Sequence, residues 1–182
     1  MANVYDVANF FIDLAAHNEE DYMTNLRLNK LLYFAQGWSL ASRGKPLFPE
    51  SIEAWKYGPV IPEIYHKYKE HGKCLISEVD KNYSPDVFTD EEMDLLLDVA
   101  REYGKYTSPA LVSMTHDDNG PWKKIFDQNI DGTIENDELK SYFQSLKPLN
   151  RFQDAKFEVI EGHRDSDGIL VLPKELDDDW TI

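Results

Sequence analysis

With 182 residues, 42% hydrophobic and 29% charged, the chain has the size of one domain plus at most a small appendage, and its composition excludes wholesale disorder. Its 19 basic residues against 34 acidic ones leave a net charge of −15, a field that repels phosphate backbones, so no dedicated nucleic-acid partner is expected and a basic protein partner suits it. The single cysteine, Cys74, excludes an internal disulfide framework and a cysteine-rich zinc site and fits a reducing cytosol, while no apolar run near the front approaches the roughly 20 residues needed to cross a bilayer. Asp6 and Asp13 interrupt the N-terminal apolar stretch and no basic residue precedes it, so a signal peptide is not expected. The protein reads as cytoplasmic, with no membrane partner.

Asn3 is placed to cap a first helix, with Asp6 at its third position and Val7, Phe11 and Leu14 at helical spacing to about residue 16. Thr24 caps a second helix that ends near Gly44. Leu28, Leu31, Leu32, Ala35 and Trp38 form its apolar face, and Leu26, Phe34 and Ala41 widen it. A helix so broadly apolar is central and touched on several sides. Gly37 within it costs about 1 kcal/mol against alanine, which suggests close approach by another backbone. Residues 46–62 carry four prolines and one short strand, from Ile52 to about Trp55. Pro62 starts a third helix that runs to His71 before Gly72. Thr89 and Glu92 make a capping box for a helix closed by Gly104. A helix from Ser108 to about Thr115, a turn at Asn119, Gly120 and Pro121, a short helix from Trp122 to Phe126 and a last one over residues 134–147 follow. Beyond residue 150, apolar runs at 157–160 and 169–172 flank Asp165, Asp167 and Gly168, a hairpin signal. The expected fold is mainly α: a compact helical domain, residues 1–149, with a short strand before the third helix. An acidic extension, residues 150–182, carries a small C-terminal β-hairpin.

Two stretches carry a family resemblance: LRLNKLLYFAQGWSLASRGKPLF, starting at Leu26, and IEAWKYGPVIPEIYHKYKEHG, starting at Ile52. A capped helix ending in Tyr103 and Gly104, then Thr115 and His116, then Gly120, Pro121 and Trp122, then ELKSYF follow in order. This order resembles the Panacea antitoxin domain, over about residues 4–147. The resemblance implies an antitoxin that neutralises a cognate toxin by direct binding, without a catalytic centre. It also implies an alternative, delivery of the toxin to a AAA+ protease as in the SocA type, or inhibition of a host protein by a phage or mobile-element product. The hairpin and acidic tail lie outside the pattern.

Trp55, Tyr57, Gly58, Pro59 and Pro62 read as a rigid, proline-locked aromatic turn, which loses little entropy when it binds a protein. The same aromatics could instead plug the core between the second and third helices. Tyr65, His66, Tyr68 and His71 form either a binding face or the packed side of an amphipathic helix. In the tail, Trp180 beside Asp177, Asp178 and Asp179 is a candidate anchor for a basic partner, or part of a solvated end. No nucleophile–base pair or phosphate loop is present, so no catalytic residue and no cofactor is assigned. Thr115, His116, Asp117 and Asp118 read as a turn rather than a metal cluster. The string from Asp127 to Glu138 matches a twelve-residue calcium loop, with Asp127, Asn129 and Asp131 at positions 1, 3 and 5 and Gly132 at the sharp turn. The incoming helix is too short after Pro121 and no second loop pairs with it. The string therefore reads as a polar turn before the last helix, and no metal is assigned.

Overall fold

Asn3 accepts from the backbone N–H groups of Tyr5 and Asp6, and the Asp6 carboxylate accepts from Asn3 N; this capping box opens α1, Val4–Ala16. Thr24 caps α2, Asn25–Arg43, whose C-terminus turns at Gly44 with φ +69°. The chain then forms β1, Glu53–Trp55, and β2, Gly58–Val60, paired antiparallel with Trp55 opposite Gly58. Five helices follow: α3, Pro62–Tyr68; α4, Asp90–Tyr103; α5, Ser108–Thr115; α6, Pro121–Phe126; and α7, Asn136–Ser145. The computed structural model describes residues 2–17, 22–127 and 132–149, and the strand pair β3, His163–Arg164, with β4, Leu170–Val171. The chain divides into two compact units, Met1–Asn150 and Arg151–Ile182. Among the described residues the fold is mainly helical, and no helix is long and apolar enough to cross a membrane.

The first unit is built around α2, which packs against α1, α3, α4, α5, α7 and β2. Residues 27–40 are all buried. Gly37 permits the closest approach: a Cβ there would lie 2.2 Å from the Phe143 ring of α7. Phe143 meets Trp38 edge-on at 5.3 Å, and Phe34 stacks on Tyr103 of α4 at 3.9 Å. The buried polar groups of α2 bind the irregular segments laid over it, because a buried amide left unpaired is costly. Gln36 Oε1 accepts from Leu47 N at 2.8 Å, and Gln36 Nε2 donates to Phe48 O at 3.0 Å. Asn29 Oδ1 accepts from Ile61 N at 2.8 Å. Arg27 donates to the carbonyls of Gly104 and Tyr106, just past the end of α4.

Several expectations are corrected. The single strand before the third helix is a two-stranded hairpin, extended by residues 132–134: Ala54 N donates to Gly132 O and Ile134 N to Ile52 O. Ile134 therefore belongs to this pairing, and α7 begins only at Asn136. The third helix is α-helical to Tyr68 and tightens into a 3₁₀ turn, Lys69–His71. Leu14 and Leu26, expected on buried faces, are about two-fifths exposed. Of the hairpin expected beyond residue 150, the first run, 157–160, lies outside the described residues; β3 lies later in the chain than that run.

Candidate protein-recognition site

The β1–β2 turn consists of Lys56 and Tyr57 alone. Gly58 closes it at φ +94°, a conformation that side chains with a Cβ rarely adopt. The point its Cβ would occupy lies 2.7 Å from Thr115 Oγ1 and 2.8 Å from Lys30 Nζ, so glycine is required by space as well as by conformation. Pro59 is buried, and its carbonyl accepts from Lys30 Nζ at 2.7 Å. Tyr57 projects from the turn, 64% exposed, with Lys56 Nζ 5.4 Å from its ring centroid. Trp55 is half-buried: its indole N–H donates to Glu53 Oε2 at 2.7 Å, and its carbonyl accepts from Trp122 Nε1 at 2.8 Å.

The hairpin meets the first turns of α3. Pro62 occupies the first helical position, where a missing N–H goes unnoticed. Ile64 and Tyr68 face the core, which leaves Tyr65 and His66 outward. Trp55 meets Tyr65 edge-on at 4.9 Å and His66 at 6.3 Å. Lys67 Nζ lies 4.8 Å from the ring centroid of Tyr5, which carries the aromatic face onto α1. His66 borders a groove of about 670 Å³ that is also lined by Asp6, Glu63, Asp80 and Tyr83. Trp55, Tyr65 and His66 therefore meet in one aromatic cluster, with Tyr57 projecting from the adjoining turn and Gly58 and Pro59 buried beneath it. Trp180 lies outside the described residues.

Behind the hairpin, Thr115, His116 and Trp122 of the quoted motifs gather around Lys30, a residue for which sequence reasoning offered no role. Lys30 is completely buried, and burial lowers its pKa from 10.5 to about 7. Thr115 sits beside it, its hydroxyl donating to Val112 O at 2.8 Å. His116 stacks flat on Trp122 at 3.7 Å, and Trp122 stacks on Phe126 at 4.7 Å. His116 Nε2 is buried with no hydrogen-bond partner among the described residues. Burial first, then the charges of Lys30 and Lys123, hold its pKa below the ordinary value. Pieces of all the quoted motifs except ELKSYF and the Tyr103–Gly104 helix end thus meet here. The one available signal was a lysine in a helix already recognised as apolar on many sides.

His116 caps the end of α5, and Asp117 turns the chain by accepting from Asn119 N at 2.8 Å and, through its carbonyl, from Gly120 N at 2.9 Å. Among the described residues, no group of three or more His, Cys, Asp or Glu side chains is arranged to hold a metal ion. Residues 128–131 of the calcium-like string lie outside the described residues. Asp127 ends α6 and accepts from Lys123 Nζ at 3.0 Å.

Fold and site define a mainly helical domain that presents an aromatic cluster at a braced hairpin. The family described as Antitoxin SocA-like, Panacea domain, matches residues 28–123. Antitoxin SocA of Caulobacter vibrioides (strain NA1000 / CB15N) is 31% identical over 171 residues, covering 88% of each chain. No solved structure matches. The chain belongs to the SocA-like Panacea antitoxin family.

Proposed function

We propose that the protein neutralises a toxin by direct protein–protein contact, made through Trp55, Tyr57, Tyr65 and His66, with Gly58 and Pro59 setting the turn. The observation that carries this reading is Tyr57, a large aromatic side chain 64% exposed on a two-residue turn with a buried base. Aromatic side chains on rigid supports concentrate binding energy, because little freedom is lost when they are covered. The contact lies within residues 1–149, and Trp180 of the acidic extension is a second anchor. No catalytic step is assigned to the chain. Location in the cytoplasm follows from this role.

The test is co-expression with the neighbouring gene, scored as rescue from toxicity, followed by binding of the two purified proteins without a protease. Tyr57→Ala should weaken the complex by about 2 kcal/mol, roughly 30-fold, while the melting temperature stays unchanged. A complex of unchanged affinity removes Tyr57 from the interface. Toxin loss that needs a AAA+ protease, with no stable complex between the purified pair, would favour delivery over occupancy.

A further inference from the structure

A hairpin with three residues per strand is marginal by its own ladder in water; residues 132–134 support the outer edge of β1, which leaves β2 and the turn to be held by side chains. Here a backbone carbonyl of each strand is captured from behind by a side chain. Lys30 of α2 donates to Pro59 O in β2 at 2.7 Å, and Trp122 of α6 donates to Trp55 O in β1 at 2.8 Å. The two donors come from separate helices and grip opposite strands next to the Lys56–Tyr57 turn. Lys30 is 0% exposed, and no carboxylate pairs with it among the described residues. Burying a basic group without a counter-charge costs stability, and the hydrogen bond to the buried Pro59 carbonyl works against that cost. An apolar side chain at this position would leave the buried Pro59 carbonyl without the donor that fixes the Gly58–Pro59 segment, so the lysine sets the local geometry of the hairpin.

We propose that Lys30 and Trp122 are positioning residues of the recognition surface, two buried struts that fix the hairpin backbone so that Trp55 and Tyr57 meet the toxin without prior ordering. This rests on the preceding reading that the hairpin makes the toxin contact. It adds that affinity depends on two side chains that touch no partner.

The experiment uses the full-length chain as wild type, Lys30→Met and Trp122→Phe; the phenylalanine keeps a ring against His116 but removes the donor. Amide hydrogen exchange is followed across residues 53–60, and dissociation of the protein encoded by the adjacent gene is timed. Loss of either strut should speed hairpin exchange and toxin release by about tenfold each, the worth of one buried hydrogen bond. Exchange in α1 and α4 should be unchanged, so that the effect of leaving the Pro59 carbonyl unpaired in Lys30→Met is confined to the hairpin. Unchanged hairpin exchange in both variants overturns the proposal. Faster exchange with unchanged release overturns it equally, by reducing the struts to local stabilisers. If Lys30→Met fails to fold, Trp122→Phe decides by the same two readings. If the adjacent protein does not bind wild type at all, the recognition reading falls instead, and exchange alone decides whether the struts hold the hairpin.

Discussion

Gly58 and Lys30 constrain each other, and each yields a measurable consequence. A side chain at position 58 would need φ +94° and would run into both Lys30 Nζ and Thr115 Oγ1. Backbone strain of that kind costs about 1–3 kcal/mol before any collision is counted, so Gly58→Ala should lower stability by at least about 2 kcal/mol in urea unfolding. An unchanged midpoint would mean that the turn can re-form with negative φ. Lys30 sets a pH dependence whose sign follows from its surroundings of Pro59 O, Thr115 and the uncharged His116. Folding lowers its pKa from 10.5 to about 7, so between those values the unfolded chain carries a proton that the folded chain has released. Stability contributed by this group therefore rises with pH through that window, and the dependence vanishes below about pH 7, where both states hold the proton. The rise should be about 2 kcal/mol between roughly pH 7 and pH 9, and Lys30→Met should flatten it. Equal slopes in wild type and variant would place the titration elsewhere.

At the scale of elements, the contact between α2 and α7 is where glycine and aromatic ring are matched. Gly37→Ala gains about 1 kcal/mol of helix propensity, yet the new methyl would stand 2.2 Å from Phe143, a ring enclosed by Tyr33, Phe34 and Trp38. Overpacking of a closed core costs about 1–3 kcal/mol, so the net effect should be a lower melting temperature; a higher one would show that α7 slides away freely. A close neighbour over Gly37 was legible in the sequence, because an unfavourable residue inside a strong helix needs a reason; the neighbour is the Phe143 ring, however, not the backbone that was expected. The helix starts were legible too, since the boxes at Asn3/Asp6 and Thr89/Glu92 and the proline at 62 act within one turn, whereas Pro121, read as part of the turn, is the first residue of α6. Strand β2 was not, because Gly58-Pro59-Val60 has no strand pattern of its own. Its place is set by β1 and by Lys30, 29 residues upstream. For the same reason Ile134 read as helix: its pairing with Ile52 is a tertiary fact. Residue type and spacing marked Trp55 and Tyr57 but left them open between the core and the surface; the structure leaves Tyr57 64% exposed and Trp55 half-buried. The struts behind them could not be read, since a helical lysine is ordinarily on a solvated face and only the full ring of neighbours around α2 shows otherwise.

For the molecule as a whole, charge is the dominant long-range quantity. The described ion pairs are few and mostly exposed, such as Lys105–Glu102 and Lys123–Asp127, and exposed pairs contribute little. The stretch 151–182 adds nine acidic residues against four basic ones, so the excess of negative charge is spread over both units. Like charges at this density repel across the folded chain more strongly than across the expanded unfolded one. Added salt shortens the reach of that repulsion to about 3–8 Å, so the melting temperature should rise by a few degrees between about 0.02 M and about 0.5 M sodium chloride. A fall would show that screened ion pairs outweigh the net charge. Binding should respond in the opposite sense. On the proposed contact, the association rate of a basic toxin with a chain carrying −15 should drop by about tenfold or more over the same range while its dissociation rate changes little. Stability and association moving in opposite directions with salt is the signature of a net negative charge that both burdens the fold and attracts a basic partner. An association rate indifferent to salt would assign recognition to the aromatic contact alone.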